Sequence, residues 1–166
     1  MLIANGQTFA HIDPARALDS FRQAQVVAQQ QRVPWMDARV AWESANLETT
    51  HGDLDHGLEL FDTAIDAYHR AGNIADLSSV LAELAVFFDR DGQSEIAATI
   101  YGASSRQPNA NWVVGLPAAV EHLRAVLGDS PFEQCVVAGA TMEIGDAVAY
   151  ARHEIQEARR QIGDVS

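Results

Sequence analysis

Three stretches decide the fold: DPARALDSFRQA at residues 13–24, DLDHGLELFDTA at 53–64 and QSEIAATIYGAS at 93–104. They fall into register without gaps, which puts Phe21, Phe61 and Tyr101 40 residues apart at each step. Small residues hold matching places as well: Ala17, Gly57 and Ala97, then Ala24, Ala64 and Ser104. Just before the segments, His11, His51 and Asp91 align, followed by Ile12, Gly52 and Gly92. A fixed period of this size is the mark of stacked supersecondary units, each hiding the apolar face of the next.

Inside each unit the apolar spacing is helical. Leu54, Leu58, Phe61, Ile65 and Tyr68 recur at i, i+4, i+7, i+11 and i+14, one face of a 3.6-residue helix. A preceding helix runs from Pro34, a favoured first-turn residue, to about His51, and Gly52 with Asp53 forms the turn. Gly72 and Asn73 stop the second helix. The third unit repeats the plan, with helices from about Ile74 to Arg90 and from about Ser94 to Ser105 on either side of Asp91 and Gly92. The first unit is shortened: Asp13 as N-cap and Pro14 at the first helical position begin its second helix, and some ten residues remain for its first.

After Ser105 the period breaks. Residues 106–116 read as a loop, and Pro117 to Leu127 as a short helix closed by Gly128. Ser130, Pro131 and Glu133 form a capping-box start for a helix ending near Gly139. A last helix from about Glu143 carries Ile144, Val148, Ala151, Ile155, Ala158 and Ile162 on one stripe, with Arg159 and Arg160 expected in its last turns. The expected fold is all-α: about two and a half hairpins of a 40-residue period over 1–105, and a C-terminal helical cap over 106–166 packed on them.

Composition narrows the function. The net charge is −12, and all eleven basic residues are arginine. A phosphate-binding loop needs a lysine to reach its phosphates, and Schiff-base chemistry needs one too. Acids outnumber bases two to one with no basic stripe, so no direct contact with nucleic acid is expected. No apolar run approaches the ~20 residues of a membrane span, and MLIANGQTFAHID lacks the pattern of a signal peptide, so a cytoplasmic protein is expected. The single Cys135 lies in an apolar stretch, where a buried small side chain is expected.

A Gly-Asp turn, then a small residue with Leu, an aromatic three places on, Ala three further and Tyr before Ala-Gly resembles a tetratricopeptide repeat. The period is longer than the usual 34 of that family, and in this it is similar to the sensor domain of the bacterial maltose-regulon activator. AATIYGASS (97–105), LPAAVEHLRAVLG (116–128) and SPFEQCVVAGATMEIGDAVAYA (130–151) resemble the C-terminal tetratricopeptide-like region of actinobacterial LuxR-type and adenylate-cyclase-linked ATPase regulators. The resemblance covers about residues 10–152 and lacks the ATPase core, the cyclase and any basic recognition helix. It implies a sensing or assembly role, with a protein or peptide partner, or the missing domains of a larger regulator. A homodimer is another way to cover the shortened first hairpin. A self-contained peptide-binding adaptor is the alternative reading, and neither calls for catalysis or a cofactor.

Arrays of this kind bind through the first helix of each pair. Trp35, Arg39, Trp42 and Asn46 share one helical stripe that mixes two indoles, a guanidinium and an amide, a composition enriched at binding hot spots. The competing reading makes the tryptophans spacers between hairpins, with Arg39 paired to Glu43. His51, Asp53, Asp55 and His56 crowd one turn without the fixed geometry of a metal centre, and no metal site is expected. Glu121 with His122, and His153 with Glu154, are sequence neighbours that point apart on a helix and read as ordinary surface residues.

Overall fold

In the computed structural model, residues 13–31, 34–106 and 113–165 are described, with backbone alone at 25, 28–31, 34, 35 and 165. Among them are eight helices and no strand: α1 Pro14–Gln31, α2 Pro34–His51, α3 Leu54–Arg70, α4 Ile74–Arg90, α5 Ser94–Ser104, α6 Leu116–Leu127, α7 Asp129–Thr141 and α8 Ile144–Val165. The all-α expectation holds, and the bounds of α2 to α5 follow the turn residues closely. The shortened helix expected before Asp13 and most of the loop at 106–116 lie outside the described residues.

Local chemistry sets each boundary. Asp13 caps α1 by accepting from the Arg16 amide at 3.1 Å, and Asp53 caps α3 from the His56 amide at the same distance. Asn73 and Asp76 cap α4 reciprocally: the Asp76 amide donates to Asn73 Oδ1 at 3.2 Å, and Asn73 Nδ2 donates to Asp76 Oδ2 at 2.8 Å. Gly72 and Gly92 take φ of +67° and +79°, the left-handed turn that ends α3 and α4. Gly52 occupies the matching place for another reason, because a Cβ there would collide with the Glu48 carboxylate.

The chain divides into two compact units, one of residues 1–68 and 157–166, the other of 69–156. The expected boundary at 105/106 is one of sequence register and lies inside the second unit. In the first unit, α1 lies on α2 through Ala17, Leu18 and Phe21 against Leu47. There α3 also passes so close to α2 that a Cβ on Gly57 would sit 2.8 Å from the Thr49 nitrogen. In the second unit, α4 is buried around most of its girth, and Leu77, Leu81, Leu84, Phe88, Ile100, Leu123, Phe132 and Ile155 are almost fully enclosed. Each such side chain contributes about 1.5–3 kcal/mol of burial. Of the stripe expected on α8, Val148, Ala151, Ile155 and Ala158 are buried and Ile144 and Ile162 are half-buried, and Ala147 is buried beside them.

Two expectations about the tail change. Ser130 does not cap α7: Gly128, at φ +82°, is the N-cap with no side-chain bond, and the helix starts at Asp129 and continues past Gly139 to Thr141. Glu133 is drawn away by Arg124, which donates to it at 2.7 Å and to Asp129 at 3.0 Å while lying 4.7 Å over the Phe132 ring. Arg159 and Arg160 lie in the last two turns of α8, as expected, and the helix runs on beyond them to Val165. Lastly, Cys135 is partly buried, not enclosed.

Candidate functional site

Helix α2 buries Ala38, Val40, Ala41, Ala45 and Leu47. That leaves Arg39, Trp42 and Glu43 half-buried and Asn46 exposed on the other side. The structure brings three residues of the expected stripe together or in line. Arg39 Cζ stands 4.8 Å over the centre of the Trp42 ring, a cation–π stack, while Arg39 Nη2 meets Glu43 Oε1 at 2.6 Å. The Trp42 ring meets Tyr68 of α3 edge-on, with centroids 6.1 Å apart at 87°. The Asn46 carbonyl accepts from Thr49 and Thr50, and its amide side chain is left on the exposed surface. Trp35 lies on α2, but its side chain is outside the described residues.

The Arg39–Glu43 pair is the one that the spacer reading calls for, and the Trp42–Tyr68 contact ties the indole to the hairpin. The remaining surface of Trp42, the outer edge of the guanidinium and the Asn46 amide form a stacking and hydrogen-bonding patch.

Two charged contacts that the sequence did not reveal hold this unit in shape. Glu48 is 1% exposed, yet its carboxylate is fully used: Oε1 accepts from Arg22 Nη2 at 2.9 Å and Nε at 3.2 Å, and Oε2 accepts from the Asp53 amide at 2.9 Å. It therefore fixes α1, α2 and the α2–α3 turn at one point. Farther along, Arg159 of α8 grips Asp55 with two bonds of 2.7 and 3.1 Å and approaches Glu59 at 3.6 Å. The Arg159 bond holds the Asp55 carboxyl below its usual range, and the same bond raises the guanidinium.

Of the four residues crowding the α2–α3 turn, three are otherwise engaged. Asp53 caps α3, Asp55 is taken by Arg159, and His56 lies 4.0 Å from Glu59. Among the described residues no group of three or more His, Cys, Asp or Glu could hold a metal ion. His122 is exposed, as expected of a surface residue, and in addition its Nδ1 lies 2.7 Å from Oδ1 of the buried Asp89, linking α6 to α4. Its sequence neighbours gave no signal, because the partner is 33 positions away. In the same unit, burial raises the Tyr150 hydroxyl above its usual range, with Glu154 adding to the shift and a hydrogen bond to Thr99 opposing it.

Compared with known proteins, the chain matches no family model, no curated protein and no solved structure. No described helix is long and apolar enough to cross a membrane.

Proposed function

We propose that this chain is a non-catalytic regulatory module of tetratricopeptide-like hairpins. It binds a protein partner or effector through the α2 stripe of Arg39, Trp42 and Asn46, with Trp35 on the same stripe, within a signal-transduction ATPase or transcription-regulator system. The observation that carries the reading is that positions matched by the 40-residue period share an environment. Ala17, Gly57 and Ala97 are buried, as are Ala24, Ala64 and Ser104, and Phe21 and Phe61 are each almost wholly enclosed. Tyr101 departs from its counterparts: it is half-buried and stacks on Phe132, with centroids 6.3 Å apart, where α7 covers α5. Such a helix marks the end of an array, as terminal units differ from internal ones.

The stripe suits a partner that offers both apolar and hydrogen-bonding groups, since a half-buried indole beside a fixed guanidinium and an exposed amide is a hot-spot composition. The test is a phage-displayed random-peptide library panned on the purified chain and counter-screened on Trp42→Ala. Clones should emerge that lose binding at least about tenfold on Trp42→Ala, roughly 1.4 kcal/mol, while the variant keeps a cooperative thermal transition. If Trp42→Ala lowers the melting temperature sharply and leaves peptide binding intact, the tryptophan is a spacer and the site is lost.

A further inference from the structure

The 40-residue period that matches α1, α3 and α5 also matches α2 with α4, so that Trp42 answers to Ala82 and Asn46 to Val86. From Ala38 to Glu48, every buried position of α2 answers to a buried position of α4. The helices differ on one face. Arg39, Trp42 and Thr49 are half-buried where Ser79, Ala82 and Asp89 are buried, and Asn46 is exposed where Val86 is half-buried. Positions 39, 42, 46 and 49 fall at i, i+3, i+7 and i+10, which is one stripe. The one other difference among the described pairs, half-buried Asp37 against buried Leu77, lies on the far side of the helix.

On α4 that stripe is closed by the chain's own α6 and the turn before it. Ala82 shares an apolar cluster with Val113 and Leu116, and Val86 and Val120 pack against it. A Cβ on Gly115 would lie 3.6 Å from Val86 Cγ1, and His122 Nδ1 lies 2.7 Å from Asp89 Oδ1. These contacts advance along both helices in the same sense, so α6 crosses α4 running in its direction. Val113, Leu116 and Val120 recur at i, i+3 and i+7, the spacing by which a helix fills an apolar site. On α2 the matching stripe keeps its outer surface, and α1 meets α2 on the other side, where Arg22 holds Glu48.

The substitutions between the two stripes say how an occupant of α2 must differ from α6. An indole takes up the room that Ala82 leaves to Val113 and Leu116, so a helix laid there needs a small residue against Trp42. Asn46 stands in place of Val86, and an amide both donates and accepts, which a second amide answers best. Arg39 is already met by Glu43 at 2.6 Å, so the stripe asks for no acid. We propose that this stripe receives an amphipathic helix of a partner protein, laid on α2 as α6 lies on α4: in the direction of α2, with Ala or Gly against Trp42 and the side-chain amide of Asn or Gln against Asn46. The proposal rests on the function given above and adds the shape, direction and composition of what binds.

The test pans two phage libraries on the full chain: fully random peptides, and the sequence of residues 113–127 with positions 113, 116 and 120 randomised. Clones from the second should carry Ala or Gly at 113 or 116 and an amide at one of the three positions. Their synthetic peptides should lose affinity at least about tenfold on either Trp42→Ala or Asn46→Ala of the chain. Asn46 is exposed, so its variant separates binding from folding. The bound peptide, labelled with carbon-13, should show helical Cα shifts. A spin label at its N-terminal end should broaden amides near Trp42 more than those near Thr49, and a label at its C-terminal end the reverse. Trp42-dependent peptides that bind extended, or in the opposite direction, would overturn the helix and leave the function standing. Trp42-dependent peptides from neither library would overturn both. Peptides indifferent to both variants, bound at α4 in place of α6, would also overturn the proposal.

Discussion

Replacing Gly139 by alanine should destabilise the chain, although alanine is the better helix former. Gly139 of α7 faces α5, where a Cβ would press into the Thr99 carbonyl oxygen and lie 2.8 Å from the Ala103 nitrogen. Gly102 of α5 returns the contact, its Cβ position pressing into the Val136 carbonyl and lying 2.8 Å from that carbon. The pairing of 102 with 136 and of 99 with 139 makes the helices antiparallel, with backbone touching backbone at their crossing. A flexible side chain could swing clear of an added methyl, but these obstacles are main chain, so the helices themselves must part. Overpacking costs about 1–3 kcal/mol or more, and parting the helices adds lost contact along α5 and α7. Against this stands a gain of about 1 kcal/mol from replacing a helical glycine. A net loss of about 2 kcal/mol is expected, lowering the melting temperature by roughly 4–8 °C. Gly163 of α8 is the control: nothing lies within 4 Å of a Cβ there, so alanine should stabilise by up to about 1 kcal/mol. Urea and thermal unfolding of the two variants should therefore move in opposite directions. Equal shifts of the same sign would refute the close crossing.

The buried carboxylate makes an asymmetric prediction, because Arg22 is 55% exposed and Glu48 only 1%. Arg22→Ala strands a buried charge and should cost about 3 kcal/mol in urea unfolding, whereas Glu48→Gln leaves a solvated arginine and should cost about 1; equal losses would count against this account. The Asp55–Arg159 pair should appear in the acid limb of stability. Its folded-state carboxyl is depressed, so the contribution is present above the ordinary aspartate value and lost as pH falls through the lower folded one. With the Asp55 side chain 46% exposed, screening limits that contribution to about 0.5 kcal/mol. The gap between wild type and Asp55→Asn should then be visible at about pH 6 and close as the pH falls through the depressed folded-state value; a gap that persists in strong acid would mean that the pair is not its source. At the α4 stop, Gly92→Ala must adopt φ of +79° and should cost about 1 kcal/mol in thermal unfolding, with no steric term, since the space around it is open. An unchanged melting temperature would show that the turn relaxes.

What the chain wrote along itself was local. The 40-residue recurrence, the period of 3.6 and the turn residues Gly52, Gly72, Gly92 and Gly128 mark where helices stop, because capping and left-handed glycine are settled within a few residues. The Arg39–Glu43 pair was legible for the same reason, being a contact within one helix. Tertiary structure decided whatever depends on distant partners. Glu48 reads like any other acid until Arg22 comes from another helix, and Arg159 reads as a dipole partner until Asp55, 104 positions away, takes it. Glu133 reads as half of a capping box until Arg124 claims it, and His122, exposed as expected, gains a partner only when Asp89 is brought beneath it. A carboxylate settles on the strongest donor within its reach, and reach in space is fixed only once the helices have packed.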